Sequence, residues 1–238
     1  MSMPSKVCVL LTLVCTAVYA GPLDNWHTRT NLGDAAISGI AHHDGTYVLT
    51  GLAPAQIVTL TNLTAPATAT TNPIPKMPRA VAYGAGRFVV VGDNIALSSS
   101  NGYDWQTHSV TGNFGSLIFA SDRFVAVGSR VSIASTNGTD WTAGSVPVSF
   151  GEDLISGNGL FLASGSSSNA ISTDGISWEA LPFRTNGGSY TIGYGEGKFV
   201  CISIFSDVMT SWTGDHGPRT ARSMSPDPIG LRGVTASS

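Results

Sequence analysis

The sequence predicts an all-β protein made of repeated four-stranded antiparallel sheets, and three observations support this prediction. The composition is typical of short strands joined by tight turns, because 28 of 238 residues are glycine, 42% are hydrophobic and only 11% are charged. Two sequence markers recur with one common period of about 37 residues. No stretch has a sustained helical apolar period bounded by caps, so we expect almost no helix.

The first marker is an aromatic residue that follows a turn and opens an aliphatic run. Its members are Tyr47, Phe88, Phe124, Phe161 and Phe199, which are 41, 36, 37 and 38 residues apart. The second marker is a turn that ends in tryptophan. It reads Ser100-Asn101-Gly102-Tyr103-Asp104-Trp105, Ser135-Thr136-Asn137-Gly138-Thr139-Asp140-Trp141 and Ser172-Thr173-Asp174-Gly175-Ile176-Ser177-Trp178, with a degenerate copy at Ser211-Trp212-Thr213-Gly214. Two independent markers with one period predict a repeat protein.

Each repeat resolves into four short strands. In the third repeat these cover 116–120, 123–128, 131–135 and 140–145. The pair Asn137-Gly138 predicts a tight hairpin turn in which both central residues have positive φ. Four antiparallel strands per repeat describe one blade of a β-propeller. A parallel β-solenoid is the alternative, but its coils are usually shorter and need no tight hairpin in every unit.

The domain prediction is a signal peptide at 1–20 followed by a propeller at 21–238. The complete repeats lie at approximately 31–65, 66–105, 106–141, 142–178 and 179–217, and a partial sixth repeat lies at 229–238. The segment 24–28 resembles the start of an outer strand, so we expect it to complete the last blade. The sixth repeat stops early, which favours a chain truncated at its C-terminus over a ring that closes irregularly.

Segment 1–20 has the pattern of a secretion signal. Lys6 precedes an apolar run at 7–14, and small residues around Ala20 resemble a cleavage site. The run is too short for a permanent membrane anchor, so we expect no membrane insertion after the signal is removed. Cys8 and Cys15 would leave with it, and Cys201 alone cannot form an internal disulfide. We therefore predict a secreted, periplasmic or cell-surface protein.

The tryptophan turns resemble the Asp-box, or BNR, repeat, whose pattern is Ser-x-Asp-x-Gly-x-Thr-Trp. In this sequence the spacing is one residue shorter, because Asn137 or Asp174 stands directly before glycine. The resemblance implies a propeller of the sialidase-like or photosystem II assembly factor-like kind, without indicating one enzyme family. In sialidases these turns lie away from the catalytic face, so they do not predict activity.

We predict that the turn residues have a structural role. The Asx side chain would accept backbone N–H groups, glycine would supply a left-handed conformation, and tryptophan would pack between sheets. The residues concerned are Asn101, Gly102, Trp105, Asn137, Gly138, Trp141, Asp174, Gly175 and Trp178.

The sequence contains few residues that could catalyse glycoside hydrolysis. A glycosidase needs a positioned pair of carboxyl groups, or a tyrosine with a glutamate, and the chain has only three glutamates, Glu152, Glu179 and Glu196. The sialidase Phe/Tyr-Arg-Ile-Pro motif is missing, and 183–186 is the nearest string. Arg87 and Arg123 occupy equivalent repeat positions, which indicates a recurring structural role. We therefore predict no catalytic residue, and a sialidase-like glycoside hydrolase is the alternative.

Other candidate sites also favour structural roles. His42 and His43 are adjacent on an extended strand, so their imidazoles point to opposite faces and cannot easily share a metal ion. Cys201 lies in an apolar run and is expected to be a small buried hydrophobe. Gly84-Ala85-Gly86 reads as a hairpin turn. Asn62 and Asn137 begin glycosylation sequons. We predict no metal site and no cofactor.

Charge limits the partners that the chain can bind. The formal net charge is −3 and the isoelectric point is near 5.9, with the nine arginines and three lysines scattered, so we expect no nucleic-acid binding. We predict a binding or scaffold module that recognises a glycan or a protein through rim loops, including the variable connections 65–78 and 183–190. A structural domain of a larger cell-surface protein is a further alternative.

Overall fold

A computed structural model describes Leu32 and residues 36–61, 68–74, 76–148, 153–165, 168–181, 189–203 and 208–210. Within these ranges the structure contains no helix, and therefore none that could cross a membrane. Several predicted features lie outside the described residues. They are the signal peptide at 1–20, the strand at 24–28, Asn62, Glu152, the string 183–186, Trp212 and the partial repeat at 229–238.

The described strands form five antiparallel sheets in chain order. The first sheet contains β1 (Ile37–His43), β2 (Thr46–Leu52), β3 (Ala55–Thr61) and β4 (Thr68–Pro73), and the second contains β5 (Pro78–Gly84), β6 (Arg87–Gly92), β7 (Ile95–Ser99) and β8 (Gln106–His108). The third contains β9 (Phe114–Ala120), β10 (Arg123–Gly128), β11 (Ser132–Ser135) and β12 (Thr142–Gly144), and the fourth contains β13 (Asp153–Gly157), β14 (Leu160–Ser164), β15 (Asn169–Ser172) and β16 (Glu179–Ala180). The fifth contains β17 (Ser189–Gly195), β18 (Lys198–Ser203) and β19 (Val208–Thr210).

Each sheet is a meander, and its first strand lies against the first strand of the next sheet. β1 contacts β5, β5 contacts β9, β9 contacts β13 and β13 contacts β17. Sheets that meet through their first strands and diverge toward their last ones are the blades of a propeller. The predicted fold class is therefore confirmed.

One predicted connection is in part a strand. The segment 65–78 was expected to be a proline-rich loop, but Thr68–Pro73 forms β4 and pairs with β3 from Gln56 to Thr61. A threonine-rich run favours a strand, and Pro73 is tolerated at the end of this outermost strand.

The tight hairpin turns lie between the first and second strands of each sheet. Both turn residues have positive φ in Asp44-Gly45, Ala85-Gly86, Ser121-Asp122, Asn158-Gly159 and Glu196-Gly197. This is the geometry of a two-residue turn that matches the twist of the flanking strands. The prediction of such a turn at Asn137-Gly138 was wrong. Only Gly138 has positive φ there, because the Asn137 side chain organises a wider turn.

The second sheet packs larger side chains toward the first sheet and smaller ones toward the third sheet. In the second sheet, Phe88 and Leu97 pack with Val48 and Ile57 of the first. On its opposite face, the second sheet packs smaller residues against the third sheet. These are Val89, Val91 and Ala96, which lie against Phe114, Leu117 and Phe124. The aromatic marker is therefore a core residue, with Phe124 and Phe161 fully buried.

An aromatic side chain on several first strands covers the last residue of the preceding sheet's first strand. A Cβ added to Gly84 would lie 2.0 Å from Phe119 Cγ, and one added to Gly157 would lie 2.3 Å from Tyr194 Cδ2. Tyr83 stacks in the same way on His43, with ring centroids 3.8 Å apart. Gly195 is the equivalent residue of the fifth sheet, and no described atom lies within 4 Å of its would-be Cβ.

Candidate functional site

The three predicted tryptophan turns share one hydrogen-bond pattern. We call residues 99–105, 135–141 and 172–178 the tryptophan turns. The side-chain oxygen of Asn137 accepts the N–H groups of Thr139 and Asp140, both at 2.9 Å. Asn101 and Asp174 accept the equivalent pairs at 2.8 to 2.9 Å. Gly102, Gly138 and Gly175 each donate to the first serine of the turn at 2.8 Å, and those serines are Ser99, Ser135 and Ser172.

Ser99 is a residue that the sequence comparison missed, because it aligned the first turn on Ser100. Counting two residues back from the Asx position, as in the other two turns, identifies it. Ser99 also donates its hydroxyl to Asn101 Oδ1 at 3.0 Å. The serine and the Asx side chain therefore fix the turn together.

The Asx position accepts either an amide or a carboxylate. Burial raises the pKa of Asp174. The hydrogen bonds from the N–H groups of Ser177 and Ile176 and from the Ser172 hydroxyl together lower this pKa by more, so the net shift is downward. Asn137 instead donates its amide to Asp140 Oδ2 at 2.7 Å. At the Asx position, the side-chain oxygen therefore accepts backbone N–H groups whether the residue is Asn or Asp. Among the described residues, no three His, Cys, Asp or Glu side chains are grouped to hold a metal ion.

Each tryptophan turn lies against the sheet that precedes it. A Cβ on Gly138 would lie 2.7 Å from Val89 Cγ2, and one on Gly175 would lie 2.4 Å from Val125 Cγ2. Hydrogen bonds add to this packing. Thr59 donates to the Gly102 carbonyl at 2.5 Å, Arg123 donates to the Asp174 carbonyl at 3.1 Å, and Trp178 Nε1 donates to Ser132 Oγ at 3.1 Å. These turns join neighbouring blades.

The two repeat-equivalent arginines also lie between blades. Arg87 donates to Ser98 Oγ at 3.5 Å, and its Cδ would lie 3.0 Å from a Cβ on Gly138 of the third sheet. The structure does not bring the remaining described glutamates into one sheet, because Glu179 is in β16 and Glu196 is in the β17–β18 turn. Cys201 is buried, and it packs with Phe199.

A groove of about 340 Å³ lies beside Trp105, between the outer strands of the first and second sheets. Its wall from the first sheet is made by Asn72, Pro73 and Ile74. Its wall from the second sheet is made by Ile95, Leu97 and Thr107, and Lys76, Tyr103 and Trp105 complete the lining. The groove thus combines apolar walls with two aromatic rings and one cation.

The connections between sheets contribute apolar side chains to the interfaces around the tryptophans. Among the described residues, Ile74 of the first connection packs in the cluster that contains Trp105. Val110 of the second connection packs in the cluster that contains Trp141. Val146 and Val148 of the third connection are buried in the cluster that contains Trp178. Beside Trp105 the lining leaves the groove open.

Polar groups of the groove retain hydrogen-bonding capacity. The amide nitrogen of Asn72 is buried and has no acceptor among the described residues. A buried donor without a partner costs about 1–3 kcal/mol. The Trp105 indole N–H already donates to the Gly102 carbonyl at 3.1 Å, which leaves its ring face for apolar contact. Tyr103 is 38% exposed.

The loops next to the groove are fixed by hydrogen bonds. Asn94, in the β6–β7 turn, donates its N–H to the Gly112 carbonyl at 2.8 Å, and its side-chain oxygen accepts the Gly112 N–H at 2.9 Å. Lys76 donates to the Asn94 carbonyl at 2.6 Å. Arg79 and Asp93 form an ion pair at 2.6 Å beside them. The Lys76 side of the groove is therefore well ordered.

Comparison with solved structures identifies the fold. A structure of YCF48 bound to D1 peptide is similar with a TM-score of 0.58 and 17% identity, over 79% of this chain and 68% of that one. Virginiamycin B lyase from Staphylococcus aureus is similar with a TM-score of 0.62 and 13% identity, over 74% and 66%. The WD40 propeller domain of Doa1 is similar with a TM-score of 0.58 and 14% identity, over 74% and 68%.

These neighbours are β-propellers, and this chain spans about two thirds of their length. No protein-family model matches the sequence, and no curated protein matches it. At such low identity the similarity shows the fold alone. The chain therefore has a β-propeller fold.

Proposed function

We propose that this chain binds an extended segment of a protein partner in the groove beside Trp105. The observation that supports this proposal is the groove between the first and second blades, in which two aromatic side chains, apolar walls and a cation meet. Ligand sites in proteins are concave, mostly apolar and supplied with a few placed polar groups, and this groove has all three properties.

The size of the groove favours one or two anchoring side chains over a whole small molecule. Its volume of about 340 Å³ is at the lower end of the range for ligand pockets. A segment lying across it would place one apolar side chain against Trp105 and continue over the surface. The neighbours include YCF48 bound to D1 peptide and a nidogen/laminin complex, so propellers of this shape occur in peptide and protein complexes.

Two finer predictions from the sequence belong to the same proposal. We propose that the protein is exported, on the signal pattern of 1–20, and that its tryptophan turns are a variant Asp-box. The hydrogen bonds of Asn101, Asn137 and Asp174 support a shared turn type, whereas export depends on the sequence alone. A glycan held on the rings of Tyr103 and Trp105 is the second candidate, because sugars also stack on aromatic faces.

The test fills the groove without disturbing the core. Thr107 lines the groove and is exposed on β8, so Thr107→Trp should occupy the space. Ala143 is exposed at the equivalent position of β12 and does not line this groove, so Ala143→Trp is the matched control. Peptides selected from a random displayed library on the wild-type chain would be measured by fluorescence anisotropy, and a glycan array would be probed in parallel.

We expect Thr107→Trp to weaken peptide binding about tenfold or more, which corresponds to about 1.4 kcal/mol, while Ala143→Trp binds like the wild type. Equal affinity for all three proteins would exclude the groove as the site. Glycan binding that Thr107→Trp abolishes, without any selected peptide, would replace the protein partner by a carbohydrate.

A further inference from the structure

We infer that the segment bound in the groove carries a carboxylate that pairs with Lys76, next to an apolar side chain that packs on Trp105. This inference rests on the proposed function and specifies the chemistry of its partner. It commits to an acidic peptide segment, in which either an Asp or Glu side chain or a C-terminal carboxylate supplies the charge.

Lys76 is a cation without a counterion at the groove. Its ammonium donates to the neutral carbonyl of Asn94 at 2.6 Å, and no carboxylate of a described residue lies within 4.0 Å of it. Asp93 is the neighbour of Asn94, but both of its oxygens are bonded to Arg79. Those bonds are Arg79 Nε to Asp93 Oδ1 at 2.6 Å and Arg79 Nη2 to Asp93 Oδ2 at 3.2 Å. The nearby acid is therefore already neutralised.

The position of the Lys76 ammonium is prepared before a ligand arrives. The carbonyl that holds it belongs to Asn94, and that turn is tied to Gly112 by two hydrogen bonds and to Asn113 by a side-chain amide contact of 3.3 Å. A lysine held in this way loses less side-chain freedom on binding than a freely rotating one. Pre-organisation of this kind increases affinity.

The net charge of the protein does not itself favour an acidic peptide. The chain carries a formal charge of −3, so an acidic peptide gains nothing from general attraction. Binding of such a peptide would therefore depend on the local cation at the groove. Arg130 offers a matched control, because it is another exposed cation, in the β10–β11 turn, and forms no ion pair among the described residues.

The experiment compares peptide selections on four full-length proteins: wild type, Lys76→Met, Lys76→Glu and Arg130→Glu. The probe is a random heptapeptide library. We expect wild type and Arg130→Glu to enrich peptides with an acidic residue beside an apolar one, and Lys76→Glu to enrich basic peptides. For one enriched acidic peptide, we expect Lys76→Met to weaken binding about fivefold and Lys76→Glu about tenfold or more, with Arg130→Glu unchanged. Amidation of the peptide C-terminus distinguishes a terminal carboxylate from a side-chain one.

The outcomes separate this inference from the proposed function. Peptides without acidic enrichment that bind Lys76→Glu as well as wild type, yet lose affinity to Thr107→Trp, would overturn the inference and leave the groove as the site. A selection in which Thr107→Trp enriches the same peptides as wild type, or in which no peptide is enriched, would overturn both.

Discussion

The packing of the tryptophan turns on the preceding blade can be tested by adding one methyl group at two glycines. Gly138 and Gly86 both have φ of 73°, so alanine is strained to a similar degree at each position. Their surroundings differ. A Cβ on Gly138 would lie 2.7 Å from Val89 Cγ2 of the second sheet, whereas a Cβ on Gly86 would have no described atom within 4 Å.

The expected free energies of unfolding follow from this difference. A left-handed alanine costs about 1–2 kcal/mol, and this is the whole cost expected for Gly86→Ala. Overpacking in a well-packed interface costs a further 1–3 kcal/mol or so, which raises the expected cost of Gly138→Ala to about 2–5 kcal/mol. For a chain of this size each kcal/mol lowers the melting temperature by about 2–4 °C.

Thermal unfolding followed by circular dichroism measures both variants against wild type. We expect Gly138→Ala to melt lower than Gly86→Ala by about 2–12 °C. Equal melting temperatures for the two variants would refute the packing of this turn on the preceding blade, since backbone strain alone would then account for both.

Two further predictions concern other blade contacts. Gly84→Ala should destabilise the protein by about 1–3 kcal/mol because its methyl group meets Phe119, whereas Gly195→Ala should be nearly neutral; equal effects in urea unfolding would contradict this. Burial, and then the charge of Arg87, lower the pKa of His108, while Asp140 opposes the shift. The folded state therefore favours neutral His108, so stability is complete above about pH 6.5 and falls as the pH drops below it. His108→Gln should flatten this dependence in melting temperatures recorded from pH 7.5 to about 5; an unchanged slope would exclude His108 as its source.

Local hydrogen-bond chemistry made much of the fold predictable. A turn held by Asn137 and closed by Gly138 depends on residues within a few positions of each other, so it is readable from a single sequence. The aromatic marker was equally reliable, because its four phenylalanines are buried in successive blades, whereas Tyr47 of the first blade is half-buried. β4 was less visible, since its sheet lacks a tryptophan turn and its prolines resemble those of a loop.

The groove could not be predicted because it depends on how two blades and their connection pack together. Its lining combines Ile74 of the first connection with Leu97 and Trp105 of the second sheet. The sequence did direct attention to 65–78 as a variable connection, and Asn72, Ile74 and Lys76 lie in it. The ion pair of Arg79 with Asp93 leaves Lys76 without a counterion among the described residues. This pairing could not be predicted from the sequence, because it depends on which side chains the fold places next to each other.

The most direct measurement is a titration of the ¹⁵N-labelled protein with a library-selected peptide, observed through the indole N–H signals of its tryptophans. Trp105→Phe assigns the signal of Trp105, and Trp141 and Trp178 report on the next two blade interfaces. The account predicts a saturable shift of the Trp105 signal, with those of Trp141 and Trp178 unchanged. A Trp105 signal that stays fixed while the peptide binds would contradict it.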